Sequence, residues 1–347
     1  MNGSIDSLTA RDEFENIIQL YKDHVFDVIE LGGNHGDTLI YLGIEKVLID
    51  NGIQYRVFRY KEIKDSITRI ASVAKASVNR ITKSFGVSND GSDLISRRMR
   101  DFLDYYIVNR SNLYLNENNV ILVQGGGDMN DIYSYSAISL LKTILNHLPY
   151  ATLIIAPQSY YFKNIDFSSI FRRAQGKVHL FCRERYSYAF LHKLRFKSNV
   201  RIHLSKDGVF YLLDRIASIP TSSDYDLIAF REDNESIIGY NVRNILKEAL
   251  KNHEVLQADI SVKAKDLQDF ISIIARARTV FTDRLHVGIV ATLMKKIVFL
   301  FPTGYWKTKG VYEYSLKSFR NVVYVDKNCF STACLRALIE SRLSQVF

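Results

Sequence analysis

The sequence predicts an α/β protein built from two doubly wound domains, and three observations carry that reading. Short apolar runs rich in β-branched and aromatic residues alternate with longer stretches whose apolar residues recur every three or four positions, the pattern of parallel sheets covered by helices. The chain has 347 residues, more than a single core usually serves. Its 17 glycines and 4 prolines leave no Gly- or Pro-rich tether, so the two domains are expected to be closely coupled. Hydrophobic residues at 47% and charged residues at 24% are those of a protein folded through most of its length.

A first set of strands is expected at Phe26–Leu31, Tyr55–Tyr60, Val120–Val123, Thr152–Ala156, Val178–Cys182 and Val200–His203. A second set is expected at Leu227–Phe230, Glu254–Ile260, Thr279–Thr282, Ile297–Phe301 and Asn321–Val325. Helical spacing fills the gaps at Asp37–Asn51, Asp131–Asn146, Arg185–Phe196, Asn241–Lys251 and Lys265–Arg278, and Ser331–Ser344 reads as a closing amphipathic helix. Between the sets, Ser205–Asp226 holds Pro220 and the polar run Thr221–Asp226, which marks it as the domain boundary. The expected division is an N-terminal domain over residues 1–215, a C-terminal domain over 216–330 and a last helix within 331–347.

Lysine and arginine number 46 against 37 acidic residues, so the surface field favours anionic partners. No basic run exceeds two residues and no zinc-finger or RNP-like motif is present, so nucleic acid is not an expected partner. Cys182, Cys329 and Cys334 are too few and too irregular for a disulfide framework or a four-ligand zinc site, and a reducing cytoplasm fits them best. The stretch Met1–Glu15 lacks the apolar core of a secretion signal. The most apolar region, Val287–Trp306, is broken by Lys295, Lys296 and Pro302, and is not expected to span a membrane.

In open α/β sheets ligands bind beyond the carboxyl ends of the strands, so the residues that follow each strand are the ones to inspect. The first strand leads into Gly32-Gly33-Asn34-His35-Gly36-Asp37, and Val120–Val123 into Gln124-Gly125-Gly126-Gly127-Asp128. Glycine-rich turns of this kind let backbone N–H groups approach an anion at a helix N-terminus. The same loops would equally serve as tight turns whose acids, Asp37 and Asp128 or Asp131, cap the next helix. Neither has the G-x-G-x-x-G spacing of a dinucleotide site or the Gly-Lys-Ser/Thr of a P-loop. Further strand ends read Ala156-Pro157-Gln158-Ser159, Cys182-Arg183-Glu184-Arg185, Phe230-Arg231-Glu232 and Thr282-Asp283-Arg284-Leu285-His286. An arginine held at a strand end suits bidentate recognition of carboxylate or phosphate. His286, beside Arg284, is the best-placed general acid/base, with Asp283, Asp128 or Asp37 to orient it. Tyr160, Tyr161, Tyr305 and Trp306 lie in polar loops and are candidate sugar platforms. No metal-ligand spacing and no hydrolase nucleophile motif is present.

Taken in order, Gly33-Asn34-His35-Gly36-Asp37, Gly125-Gly126-Gly127, Ala156-Pro157-Gln158-Ser159, Arg183-Glu184-Arg185-Tyr186-Ser187, Arg284-Leu285-His286, Ala291 and Tyr305-Trp306-Lys307 resemble the polysaccharide pyruvyl transferase family. The resemblance implies a GT-B-like pair of Rossmann-like domains facing a central cleft. It implies phosphoenolpyruvate as donor substrate, no cofactor, and a sugar or lipid-linked oligosaccharide as acceptor. Functional positions then fall on Arg183, Arg284 and His286. Asn34, Asp37, Gly126, Gly127, Asp128, Gln158, Ser159, Leu285 and Lys307 are the expected substrate-binding positions. A lipid-linked acceptor would bring a cytoplasmic enzyme into peripheral contact with an anionic membrane surface. A nucleotide-sugar glycosyltransferase and a non-catalytic carbohydrate-binding relative are the alternative readings.

Overall fold

The computed structural model describes residues 11–60, 116, 118–131 and 134–343. Ile132 and Tyr133 of the helix expected from Asp131 and the end of the one expected to reach Ser344 lie outside the described residues, as do the first ten of the chain. Two all-parallel sheets result. The first contains β1 (Phe26–Glu30), β2 (Tyr55–Arg59), β3 (Val120–Val123), β4 (Thr152–Gln158), β5 (Val178–Cys182) and β6 (Val200–Leu204), in the order β2-β1-β3-β4-β5-β6. The second contains β7 (Tyr225–Ala229), β8 (Val255–Gln257), β9 (Ala277–Thr282), β10 (Ile297–Leu300) and β11 (Val322–Tyr324), in the order β11-β10-β9-β7-β8. Strands covered by helices on both faces read as unbroken apolar runs, and β3 and β5 are buried at every residue. Edge strands β2 and β8 keep exposed positions. This is the GT-B-like pair of Rossmann-like sheets.

Polar residues inside the strands are paired. Asp27 in β1 accepts from Arg56 Nε at 2.9 Å and from Asn119 Nδ2 at 3.1 Å. Asp226 in β7 accepts from Arg278 Nη2 at 2.7 Å, and His253 Nδ1 lies 2.6 Å away. Each carboxylate fastens a neighbouring segment to the first strand of its sheet.

The helix His35–Asp50 lies between the sheets. Its Leu39, Ile40 and Ile44 join Val209, Phe210, Val287 and Val290 in one apolar cluster that runs from one sheet to the other. Gly43 permits this, since a Cβ there would sit 1.9 Å from the carbonyl oxygen of Gly208. The segment expected to be a boundary is therefore structured at its start: it turns through a 3₁₀ helix at Gly208–Leu212 and a short helix at Leu213–Ala217 packed into this cluster. The closing helix Thr332–Leu343 buries Leu335 and Ile339 against Phe230, Phe281 and Phe299 of the second sheet.

Two of the three cysteines are paired locally. Cys329 and Cys334 are joined in a disulfide that ties the turn Lys327–Cys329 to the start of the closing helix, and Cys182 is a buried free thiol. A tight turn brings two residues five apart in sequence to a Cα separation of 5.1 Å, close enough to bridge without any wider framework. Among the described residues no helix is long and apolar enough to cross a membrane. Val287–Trp306 divides instead into most of the helix Leu285–Leu293, then β10 and a loop.

The strand order reverses twice. In the first sheet the chain leaves β1 for β2 on one side and returns to β3 on the other; in the second it leaves β7 for β8 and returns to β9. Such reversals open a crevice at the carboxyl ends of the flanking strands.

Candidate active site

The loop after β1 is shaped by close approaches. Gly32 and Gly33 take positive φ values of 79° and 139°. Asn34 Oδ1 then accepts from Gly36 N at 2.8 Å, and Asp37 Oδ2 accepts from Asn34 N at 2.9 Å, which caps the helix His35–Asp50. A Cβ on Gly33 would lie 2.2 Å from Asp37 Oδ2. A Cβ on Gly36 would lie 2.3 Å from His286 Nδ1, so this glycine admits a histidine from the second sheet.

The loop after β3 divides its work. Gly125 packs on the Pro157 carbonyl, and Gly126, at φ 143°, bridges to Gln158. Gly127 and Asp128 open onto the crevice. From the position of a Cβ on Gly127, Arg183 Nη2 is 3.8 Å away and Lys307 Nζ 3.9 Å.

Arg183, at the end of β5, is 1% exposed. Its Nε donates to Ser159 Oγ at 2.9 Å and its Nη1 to Asp207 Oδ2 at 2.8 Å. The same Nη1 is 3.3 Å from His286 Nε2, which lies 3.6 Å from Asp207 Oδ2. Burial by itself would raise the Asp207 carboxyl; the neighbouring His286 imidazole and the charge of Arg183 outweigh it and hold the group well below the usual carboxylate range.

The opposite wall is a network of ion pairs. Arg284 Nε and Nη2 clasp both oxygens of Asp259 at 2.9 and 2.5 Å, and Nη2 also reaches Asp233 Oδ2 at 3.1 Å. Arg231 Nε meets Asp233 Oδ1 at 2.8 Å, its Nη1 meets Glu235 Oε2 at 2.8 Å, and Lys307 Nζ also donates to Glu235. Burial pulls the Lys307 ammonium down to about 8, against the opposing pull of Glu235. Asp128 moves the other way, pushed up to about 7 by burial and by the neighbouring Asp37.

These groups enclose a cleft of about 270 Å³ between the two switch points. Asn34, Asp37, Gly127, Asp128, Arg183, Arg284, Leu285, His286 and Lys307 all line it. Gly126, Gln158 and Ser159 do not; Ser159 instead supports Arg183 from behind. None of the three acids expected to orient His286 does so. Asp283 accepts from Arg231 N and Ser236 Oγ, Asp37 caps its helix, and the orienting carboxylate is Asp207. Sequence reasoning passed over Asp207 because it fell in the supposed boundary, although it follows β6 as Arg183 follows β5. Glu235, Asp233 and Asp259 were also missed. Tyr160 is fully buried and Tyr305 nearly so, which removes them as open platforms. Tyr161 stacks on Tyr305 at 5.1 Å and meets Trp306 edge-on at 4.7 Å; both Tyr161 and Trp306 stay half-buried. Among the described residues no group of three or more His, Cys, Asp or Glu is placed to hold a metal ion.

The family model for polysaccharide pyruvyl transferase matches residues 34–305. The Bacillus subtilis (strain 168) protein named "Putative pyruvyl transferase EpsO" is 26% identical over 229 residues, covering 57% of this chain and 70% of its own length. A functionally uncharacterised protein of Klebsiella pneumoniae shares the fold, with a TM-score of 0.58 at 20% identity over 94% of this chain and 100% of its own. The E. coli heptosyltransferase WaaC aligns with a TM-score of 0.38 at 10% identity, over 91% and 99% of the two chains. The family match begins at the cap of the His35–Asp50 helix and ends at Tyr305, and it takes in Arg183, Arg284 and His286 of the cleft; the chain belongs to the polysaccharide pyruvyl transferase family.

Proposed function

We propose that this protein transfers the enolpyruvyl-derived group of phosphoenolpyruvate onto two hydroxyls of one sugar, closing a cyclic pyruvate ketal during polysaccharide synthesis. The observation that carries the reading is the assembly of Arg183 from the first sheet with His286 from the second, both on Asp207. These three groups come together only where the two halves meet.

The donor brings a phosphate and a carboxylate. Arg183 Nη2 and Arg284 Nη1 have no partner among the described residues and supply the counter-charge, while the clasp of Asp259 fixes the Arg284 plane. The N-termini of the helices His35–Asp50 and Leu285–Leu293 meet the same space and favour anions. Protonation of the methylene carbon makes C2 an oxocarbenium-like electrophile, one sugar hydroxyl adds, phosphate leaves, and the neighbouring hydroxyl closes the ring. His286 takes the proton of the first hydroxyl and returns it to the departing phosphate. Asp207 steadies the imidazolium that forms between these steps. Of the expected sugar platforms, Tyr161 and Trp306 stay half-buried, and neither lines the cleft itself. A net formal charge of +9 supports an anionic or lipid-linked acceptor presented at an anionic membrane surface.

Phosphate release from phosphoenolpyruvate with a galactoside or mannoside acceptor tests this. Turnover is expected to persist in excess EDTA, because the arginines neutralise the donor without a metal. Activity lost to EDTA and restored by magnesium or manganese would point instead to metal-assisted glycosyl transfer.

A further inference from the structure

The carboxylates around the cleft are almost all engaged. Asp37 accepts from Asn34 N, Asp207 from Arg183 and Val209 N, Asp233 from Arg231, Asp259 from Arg284, and Glu235 from Lys307. Asp128 lines the same cleft, yet makes no side-chain hydrogen bond or ion pair among the described residues. The charged groups that face it are Asp37 and Glu235 on one side of the balance and Lys307 and Arg183 on the other. With two charges of each sign and no donor, desolvation decides, and the carboxyl is raised to about 7, so that a substantial share of it carries its proton near neutral pH. An acid that keeps its proton near neutral pH in a cleft, beside Arg183 and Lys307, is equipped to deliver that proton.

From this geometry, and resting on the pyruvyl-transfer reading above, we propose that Asp128 is the acid that protonates the methylene carbon of the donor. The reaction has two proton tasks, and His286 can perform only one at a time. Asp128 gives its proton to the carbon, which becomes the methyl group of the ketal, and the C2 cation accepts the first sugar oxygen. His286 takes that hydroxyl's proton and passes it to phosphate as the C–O bond to phosphate breaks. The second hydroxyl then adds to C2 and its proton goes to the Asp128 carboxylate. Two protons leave the sugar, one enters the methyl group and one leaves with phosphate, and both side chains are restored.

The same placement couples donor binding to protonation. A carboxyl raised above its usual value is pushed further up when an anion arrives beside it, so binding above about pH 7 draws a proton from solution. Donor affinity therefore weakens as pH rises through that value.

The test compares wild type with Asp128→Asn, which copies the neutral form without a proton to give. The melting-temperature rise caused by phosphoenolpyruvate should survive, and phosphate release per folded molecule should fall by about 10² to 10⁴. Calorimetry of phosphoenolpyruvate binding at pH 8, in buffers of different ionisation enthalpy, should show up to about one proton taken up by wild type and clearly less by the variant. If Asp128→Asn does not fold, Asp128→Ser gives the same comparison. Turnover within a few-fold of wild type, or unchanged proton uptake, would overturn the proposal. Failure of wild type itself to bind phosphoenolpyruvate would instead overturn the pyruvyl-transfer reading on which it rests.

Discussion

Replacing His286 by asparagine is expected to lower phosphate release per folded molecule by about 10² to 10⁴, the usual contribution of a positioned proton-transfer group. The reason lies in its surroundings. His286 is 12% exposed, with Nε2 between Arg183 and Asp207 and Nδ1 against Gly36, so it is held in one orientation with a carboxylate to steady its charged form. Asparagine keeps a polar group near Arg183 and leaves donor binding to the arginines. The melting-temperature rise with phosphoenolpyruvate should therefore remain. A residue that only packs would behave in the opposite way, with a lower melting temperature and unchanged specific activity of the folded fraction. A stable variant with wild-type turnover would remove His286 from the mechanism.

Arg183→Ala is expected to damage both fold and function. Asp207 is fully buried and is kept ionised by Arg183 and His286. Removing the guanidinium leaves that carboxylate without its main counter-charge, a change that typically costs about 3 to 5 kcal/mol. The pH dependence follows from the sign of the Asp207 shift. A carboxyl held below its unfolded value adds stability above that value, and the gain is lost as pH falls through the folded one. The stability gap between wild type and Arg183→Ala should accordingly be widest near neutral pH and shrink in acid. Arg183→Lys should restore part of the stability but little of the donor-induced shift, because lysine cannot bond Ser159, Asp207 and a donor oxygen at once from one plane. Denaturant unfolding across pH, with and without phosphoenolpyruvate, checks both statements. Equal stability of the alanine variant at every pH would show that Asp207 does not depend on Arg183.

The strands were legible because parallel sheets bury both faces, and runs such as Val120–Val123 and Val178–Cys182 have no polar interruption. At β7 a buried charge displaced the reading. β7 begins at Tyr225, two residues before the expected start, because Asp226 looks like a loop residue until Arg278 and His253 are seen to neutralise it. The strand-end rule found Arg183, Arg284, His286, Asn34, Asp37 and Asp128, since topology alone sends those positions to the crevice. It did not reveal how they pair. The clasp of Arg284 on Asp259 joins residues 25 apart in sequence, and the supporting position of Asp207 depends on β6 lying beside β5. The glycines were legible as turns, but not what each one packs against. Beside the expected approach to an anion they have packing roles: Gly33 makes room for a helix cap, Gly36 for His286 and Gly125 for the Pro157 backbone. Spatial neighbours of this kind leave no mark on local sequence.

The measurement that bears most directly on the proposed chemistry is a melting curve with phosphoenolpyruvate set against curves with UDP- and GDP-sugars. A ligand bound only by the folded state stabilises it by about 2.7 kcal/mol at a hundredfold excess over Kd. The cleft described here predicts a clear upward shift with phosphoenolpyruvate and none with the nucleotide sugars. A shift with a nucleotide sugar, and none with phosphoenolpyruvate, would contradict it.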